Sequence, residues 1–204
     1  MRATATAVRA RAAGSGTREA ILAATEALLA AGGEDAVAIR AVCARVGVTA
    51  PTVYHHFGDK RALIDEVVNA RFAEFDRALG ARGAPRDPVE RLRWGFDRYV
   101  AYGVAHPGHY ALIFSRAGAR PTPAGRASYA RLRRTVSAIA EAGRLAAPVD
   151  EATPAFWAAV HGITALLIAG FLERSAPAIV LVRDAIIAQL TRPAPGRSPR
   201  RRSR

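Results

Sequence analysis

Between Thr49 and Lys60 the chain gathers side chains that could hold a polyanion. Thr49, Thr52, Tyr54, His55, His56 and Lys60 offer hydroxyls, imidazoles and one ammonium, and Ala50 to His56 contains no acidic side chain. Such groups donate to phosphate oxygens and to base edges, whereas a carboxylate would be repelled there. Other chemistry finds little support. No hydrolase elbow, phosphate-cradling glycine loop or paired-carboxylate pattern appears, and Gly14-Ser15-Gly16 falls in an N-terminal arm. His106-x-x-His109 is interrupted by Pro107 and has no acidic neighbour in sequence. No catalytic residue, metal or cofactor is therefore expected. Cys43 is the one cysteine, so no intrachain disulfide can form, which fits a reducing compartment. Its place on an apolar helix face reads as small core packing rather than a redox switch.

The elements that must position those groups can be read on either side of them. Val42, Cys43 and Val46 are apolar at helical spacing, predicting a helix over about Ile39–Val46. Gly47 follows, where a helix end favours left-handed dihedrals. Thr49 is suited to cap a second helix, about Ala50–His56, with Pro51 in its first turn. The pair is a helix-turn-helix whose second helix enters the major groove. Before it, Thr17 is suited to cap a helix to about Ala31, with Ile21, Leu22, Thr25, Leu28 and Leu29 on one face and Gly32-Gly33 as its stop. After it, Gly58 breaks the chain, Asp59 caps, and a helix runs from Lys60 to about Leu79 with an apolar stripe from Leu63 to Phe75.

Beyond Leu79 the sequence predicts helices near 88–105, 108–116, 126–145, 153–173 and 177–190, with no strand and no repeat. The fold class is all-α, about nine helices. Ala155–Leu172 holds 18 residues without a formal charge, the lower limit of a membrane span, but His161, Gly162, Thr164 and Gly170 favour a buried core or subunit interface. The start of the chain has no continuous apolar run, so no secretory signal is expected. The net charge is +13 over 204 residues, and it is concentrated at the ends. Arg2, Arg9, Arg11 and Arg18 lie in residues 1–18, and six arginines lie in residues 192–204, with no acid in either segment. Removing those ten leaves 20 basic against 17 acidic groups between them. Such ends favour polyanions without sequence preference, or are simply solvated in an Arg-rich chain. The division expected is a disordered basic arm (1–16), a DNA-binding domain (17–65), a sensing and dimerising domain (66–191) and a disordered Arg-rich tail (192–204).

The register of Gly47-Val48-Thr49, Thr52-Val53-Tyr54-x-His56-Phe57, Lys60 and Leu63 resembles the tetracycline-repressor-like (TetR/AcrR) family of bacterial regulators. The resemblance covers about the first 65 residues. It implies that Arg40, Thr49, Thr52, Tyr54 and Lys60 contact phosphates, and that Ala50, Pro51 and His55 face base edges. His56 is partly structural in that pattern, and Phe57 packs behind it. Ala38-Ile39 departs from the family, which commonly has a Ser/Thr cap there, at a cost of about 1 kcal/mol. Trp157-x-x-x-His161-Gly162 resembles the subgroup with a Trp-His-Gly signature. The resemblance implies a homodimer joined by the last two helices, a pseudo-palindromic double-stranded operator, a cytoplasmic place beside the nucleoid, and a small apolar effector. Binding of that effector would pivot the Lys60–Leu79 helix and release the DNA. Candidates to line its pocket are Phe72, Phe75, Phe96, Tyr99, Tyr110, Phe114, Trp157 and His161, all of which also fit ordinary core packing. An activator, or a regulator that needs its ligand to bind DNA, would carry the same sequence features. A general nucleic-acid-binding protein acting through its arginine ends is the remaining alternative.

Overall fold

The computed structural model describes residues 2–80, 83–114 and 122–193, with side chains from Gly16 onward. They form α1 (Arg2–Ala36), α2 (Ile39–Val46), α3 (Ala50–Phe57), α4 (Lys60–Leu79), α5 (Pro88–Ala105), α6 (Pro107–Phe114), α7 (Pro123–Glu141), α8 (Val149–Ile168) and α9 (Pro177–Leu190). Among the described residues there is no strand; Leu145 and Thr191 meet in one isolated antiparallel bridge.

The first helix corrects the expected start. It runs from Arg2, so residues 2–16 are helical where a disordered arm was expected, and Thr17 lies inside the helix instead of capping it. The segment is rich in Ala and Arg and free of Pro. Extending an existing helix through such residues needs no new nucleation. The expected stop does operate: Gly32 (φ −162°) and Gly33 (φ 68°) leave the helical region and kink the run before Ala36.

Three other ends differ for local reasons. Thr122 Oγ1 accepts from the Gly125 N–H at 3.2 Å, so α7 starts at Pro123, within the stretch expected to be loop. It ends at Glu141, short of Leu145, where Gly143 takes φ 68° and the Arg144 N–H reaches back to Ile139 O at 3.0 Å. Finally, α8 begins at Val149 rather than Thr153, with Asp150 and Glu151 in its first turn, where the helix dipole favours acids. It ends before Gly170 (φ 77°) instead of continuing to Glu173.

The chain divides into two compact units, Met1–Glu74 with Gly108–Gly125, and Phe75–Pro107 with Arg126–Arg204. In the first, Ile21, Val37, Val42, Val53, Phe57, Leu63, Val67, Val68 and Leu112 form one apolar core. Arg71 crosses between helices there, donating to Glu26 at 3.0 Å and to Glu74 at 2.8 Å. His109 sits beside the same two carboxylates, 3.6 and 3.7 Å away.

In the second unit α5 packs on α8 and α9, which also pack on each other. Phe96, Val136, Ile139, Phe156, Val160 and Ile187 are buried within it. On α8 the buried residues Ala152, Phe156, Val160, Ile163, Thr164 and Leu167 lie on one side. This helix is long and apolar enough to cross a membrane by length and composition alone. Ion pairs join α5 to α9: Arg93 with Asp184, and Arg183 Nη1 with Asp97 at 2.9 Å.

Asp87 closes the front of α5. Its Oδ1 accepts from Val89 N at 2.9 Å and Glu90 N at 3.0 Å, and Arg144 pairs with its other oxygen. The Glu90 amide, and after it Arg144, hold the carboxyl below its ordinary range. Asp87→Ala is expected to cost about 1 kcal/mol at neutral pH. A depressed carboxylate stabilises the fold above its unfolded value, about 3.9, and loses that effect as pH falls through the folded value. The gap between wild type and Asp87→Ala in urea melts should therefore hold at pH 7 and close below about pH 4.

Candidate nucleic-acid interface

Helix α2 is held inward by Val42, and its end is made by Gly47 (φ 75°, ψ 32°), whose N–H bonds to Cys43 O at 2.8 Å. A left-handed residue there turns the chain within three residues into α3. Val53 and Phe57, four apart, are the buried residues of α3. With those two fixed inward, Pro51, Tyr54 and His55 are left exposed, while Ala50, Thr52 and His56 are half-buried. Arg40 on α2, Thr49 before α3 and Lys60 at the start of α4 are exposed as well. All nine residues proposed from sequence to contact DNA lie in the first compact unit.

The capping differs in one respect from expectation. Thr49 stands at the N-cap position of α3 but makes no side-chain cap bond. Its hydroxyl instead lies 3.0 Å from that of Thr52. Two hydroxyls bonded to each other still have a proton and lone pairs to offer outward. Ala38 likewise leaves α2 without a side-chain cap, as its side chain requires. At the other end Gly58 (φ 82°, ψ −65°) closes α3, and Asp59 Oδ1 caps α4 through the Ala62 N–H at 2.7 Å. Asp59 is thus committed to a helix end beside Lys60.

The rings of α3 touch in sequence. His55 and His56 are edge-on at 5.6 Å, and His56 lies 6.1 Å from Phe57. Behind Phe57 stands a residue that sequence reading had counted with the basic arm. The Arg18 guanidinium lies 5.2 Å over the Phe57 ring and pairs with Glu66 of α4. Nothing in the spacing of Arg18 distinguishes it from Arg9 or Arg11; its partners are 39 and 48 residues away.

The eight pocket candidates separate into two groups. Phe72, Tyr110 and Phe114 belong to the first unit, where Phe114 meets Phe72 at 5.9 Å and Tyr110 at 4.7 Å. Phe75, Phe96, Tyr99, Trp157 and His161 belong to the second. Phe75 stands edge-on to Tyr99 at 5.0 Å, and the Tyr99 hydroxyl lies 3.2 Å from His161 Nδ1. Burial lowers the His161 pKa and favours the neutral ring. Trp157 lies 6.1 Å from His161 and 5.8 Å from Tyr129, both Trp157 and Tyr129 remaining partly exposed. Tyr129 and Tyr102, which meets Phe75 at 5.3 Å, join this group without having been singled out for it from sequence. Phe96 is fully buried against Phe156 at 5.9 Å.

Residues 21–67 match the model for bacterial regulatory proteins of the tetR family, and residues 92–190 match that for the tetracyclin repressor-like C-terminal domain. Trp157, His161 and Gly162 lie within the second span. A protein of unknown function from Rhodococcus sp. RHA1 superposes with a TM-score of 0.70 at 26% identity, over 86% of this chain and 96% of that one. A candidate tetR family transcription regulator from Shewanella sp. PV-4 gives 0.74 at 16% identity, over 87% and 99%. A TetR family transcription regulator from Marinobacter aquaeolei VT8 gives 0.72 at 18% identity, over 90% and 98%. At those last two identities the likeness is one of fold. No curated protein matches the chain. With a reading head and a helical body each matched to the corresponding part, the chain belongs to the TetR family of bacterial regulatory proteins and is a DNA-binding transcriptional regulator.

Proposed function

We propose that this regulator is a cytoplasmic homodimeric repressor, released from a pseudo-palindromic operator by a small, largely apolar effector. The observation that carries the reading is the outward face around α3. Tyr54, His55, Thr49, Arg40 and Lys60 stand exposed there, and the carboxylate of Asp59 is engaged as a cap. Arg40, Thr49, Thr52, Tyr54 and Lys60 fix the head on phosphates, with His56 supporting α3. Ala50 and Pro51 pack on thymine methyls, and His55 donates to a base edge. Selection of bound duplexes from a randomised pool tests this. Two half-sites about 34–36 Å apart, or a multiple of that, are expected. Duplexes without repeated half-sites would sink the dimeric reading.

The last two helices support self-association. Leu181 and Val180 on α9 are 70% and 50% exposed, Leu166 on α8 is 43% exposed, and Phe171 beyond it is 79% exposed. Exposed apolar side chains gathered on consecutive elements suit a twofold four-helix contact with a second copy. Leu181→Glu is expected to raise the dimer dissociation constant about tenfold or more, since a charge would be buried without a partner. Sedimentation equilibrium at two concentrations measures it. An unchanged monomer–dimer distribution would place the contact elsewhere.

For the effector, the Phe75–Tyr99–His161–Trp157 group of the second unit supports an aromatic-lined site with one polar handle, the Tyr99–His161 pair. A ligand weakens DNA binding only by favouring the arrangement of α4 that does not fit the operator. Mobility shifts of the selected duplex with and without aromatic ligands distinguish release from ligand-dependent binding.

A further inference from the structure

We infer that Arg18 is a positioning residue for DNA reading: it braces α1, α3 and α4 through Phe57 and Glu66 and does not itself hold a phosphate. The inference rests on the proposed use of α3 as the reading helix.

The joint between α3 and α4 is only Gly58 and Asp59. Gly58 at φ 82°, ψ −65° has no Cβ to restrict it, so the backbone alone sets the angle between the two helices weakly. Tyr54 lies one turn before Phe57, and Lys60 follows three residues after it. Whatever fixes Phe57 against α4 therefore fixes the spacing of Tyr54 and Lys60. Phe57 presents its ring to the Arg18 guanidinium at 5.2 Å, and the same guanidinium is paired with Glu66, about two turns into α4. One planar cation thus touches all three helices of the head. A guanidinium serves here where an ammonium would not, because it stacks on a ring and pairs in its own plane at once. Both charged side chains remain more than a third exposed. A pair so placed contributes little to stability, and its effect is on geometry.

The two possible roles of Arg18 differ in sign at Glu66. Removing an acidic charge from a DNA-binding head tightens binding if Arg18 is a phosphate contact held back by Glu66. It weakens binding if the pair is a brace. With the full chain and its selected duplex, Glu66→Gln is expected to bind about three- to tenfold more weakly, and Arg18→Gln by a similar factor. The slope of log affinity against log salt should stay unchanged in Arg18→Gln, because no phosphate is given up; a lost contact would lower it by about 0.9 per head. The swap Arg18→Glu with Glu66→Arg should recover affinity to within a few-fold of wild type.

Amide hydrogen exchange across Tyr54–Lys60 reads the brace without DNA, and it should quicken in both single variants. Exchange equal to wild type overturns the brace whether or not a duplex is found. So does a Glu66→Gln variant that binds as tightly as wild type or tighter, and so does a flatter salt slope in Arg18→Gln. A wild-type chain that binds no duplex at all, with quickened exchange in the variants, leaves the brace standing and removes the function proposed for it.

Discussion

Lys60→Ala is expected to weaken binding to the selected duplex on the order of 10²-fold at moderate salt, and to lower the salt slope by about 0.9 for each head engaged. Tyr54→Phe is expected to weaken it about tenfold with no change in slope. The two residues separate because they address a phosphate differently. Lys60 is exposed at the first position of α4, one residue past the cap made by Asp59. An ammonium against a phosphate displaces a condensed counterion, so its loss appears in the salt dependence. Tyr54 is 47% exposed on α3, and its hydroxyl offers a neutral hydrogen bond of about 0.5–1.5 kcal/mol. No counterion is released by it. Anisotropy titrations between about 50 and 200 mM salt give both quantities. An unchanged slope in Lys60→Ala would take the lysine off the DNA, and a slope falling in Tyr54→Phe would mean that the head docks differently.

Much of this head was legible in the sequence, because its signals are local. Gly47 sits where only a left-handed residue ends α2, and Val53 and Phe57 are four apart, so the outward face of α3 follows by elimination. The bounds of α2, α4, α5 and α9 follow from caps, prolines and glycines within a turn of each end. Where a local signal pointed to two outcomes, reading failed. Thr122-Pro123 and Thr153-Pro154 are the same dipeptide, yet the first opens α7 and the second lies inside α8. Thr49 had the right type and place for a cap, but Thr52 offered its hydroxyl a nearer partner.

The partners hardest to foresee are those distant in sequence. His109 has no acid beside it in the chain, yet Glu26 and Glu74 come from α1 and α4 to meet it. Arg18 looked like one more charge in a basic arm until Phe57 and Glu66 folded onto it. Aromatic spacing was ambiguous in the same way. It marked Phe72 and Phe75 as near neighbours on one helix, and the fold assigns them to different compact units.

Phe96 shows how that ambiguity can be settled by measurement. Sequence spacing placed it both among effector-pocket candidates and within an ordinary core stripe. The ring has no exposed surface, stands edge-on to Phe156, and sits on α5, which packs on both α8 and α9. Truncating such a ring removes its transfer free energy and leaves a void that close-packed neighbours fill only in part. Phe96→Ala is therefore expected to cost about 3–5 kcal/mol. At roughly 2–4 °C per kcal/mol for a chain of this size, that lowers the melting temperature by about 6–20 °C. Phe96→Leu keeps most of the volume and should lose far less. A pocket wall behaves in the opposite way: a cavity already present means that truncation costs little, and the change appears in the ligand response. The partly exposed Trp157, beside Tyr129 and His161, is the residue at which that second outcome is expected. If Phe96→Ala melts within about 2 °C of wild type, corresponding to less than about 1 kcal/mol, Phe96 borders open space and its assignment to the core is wrong.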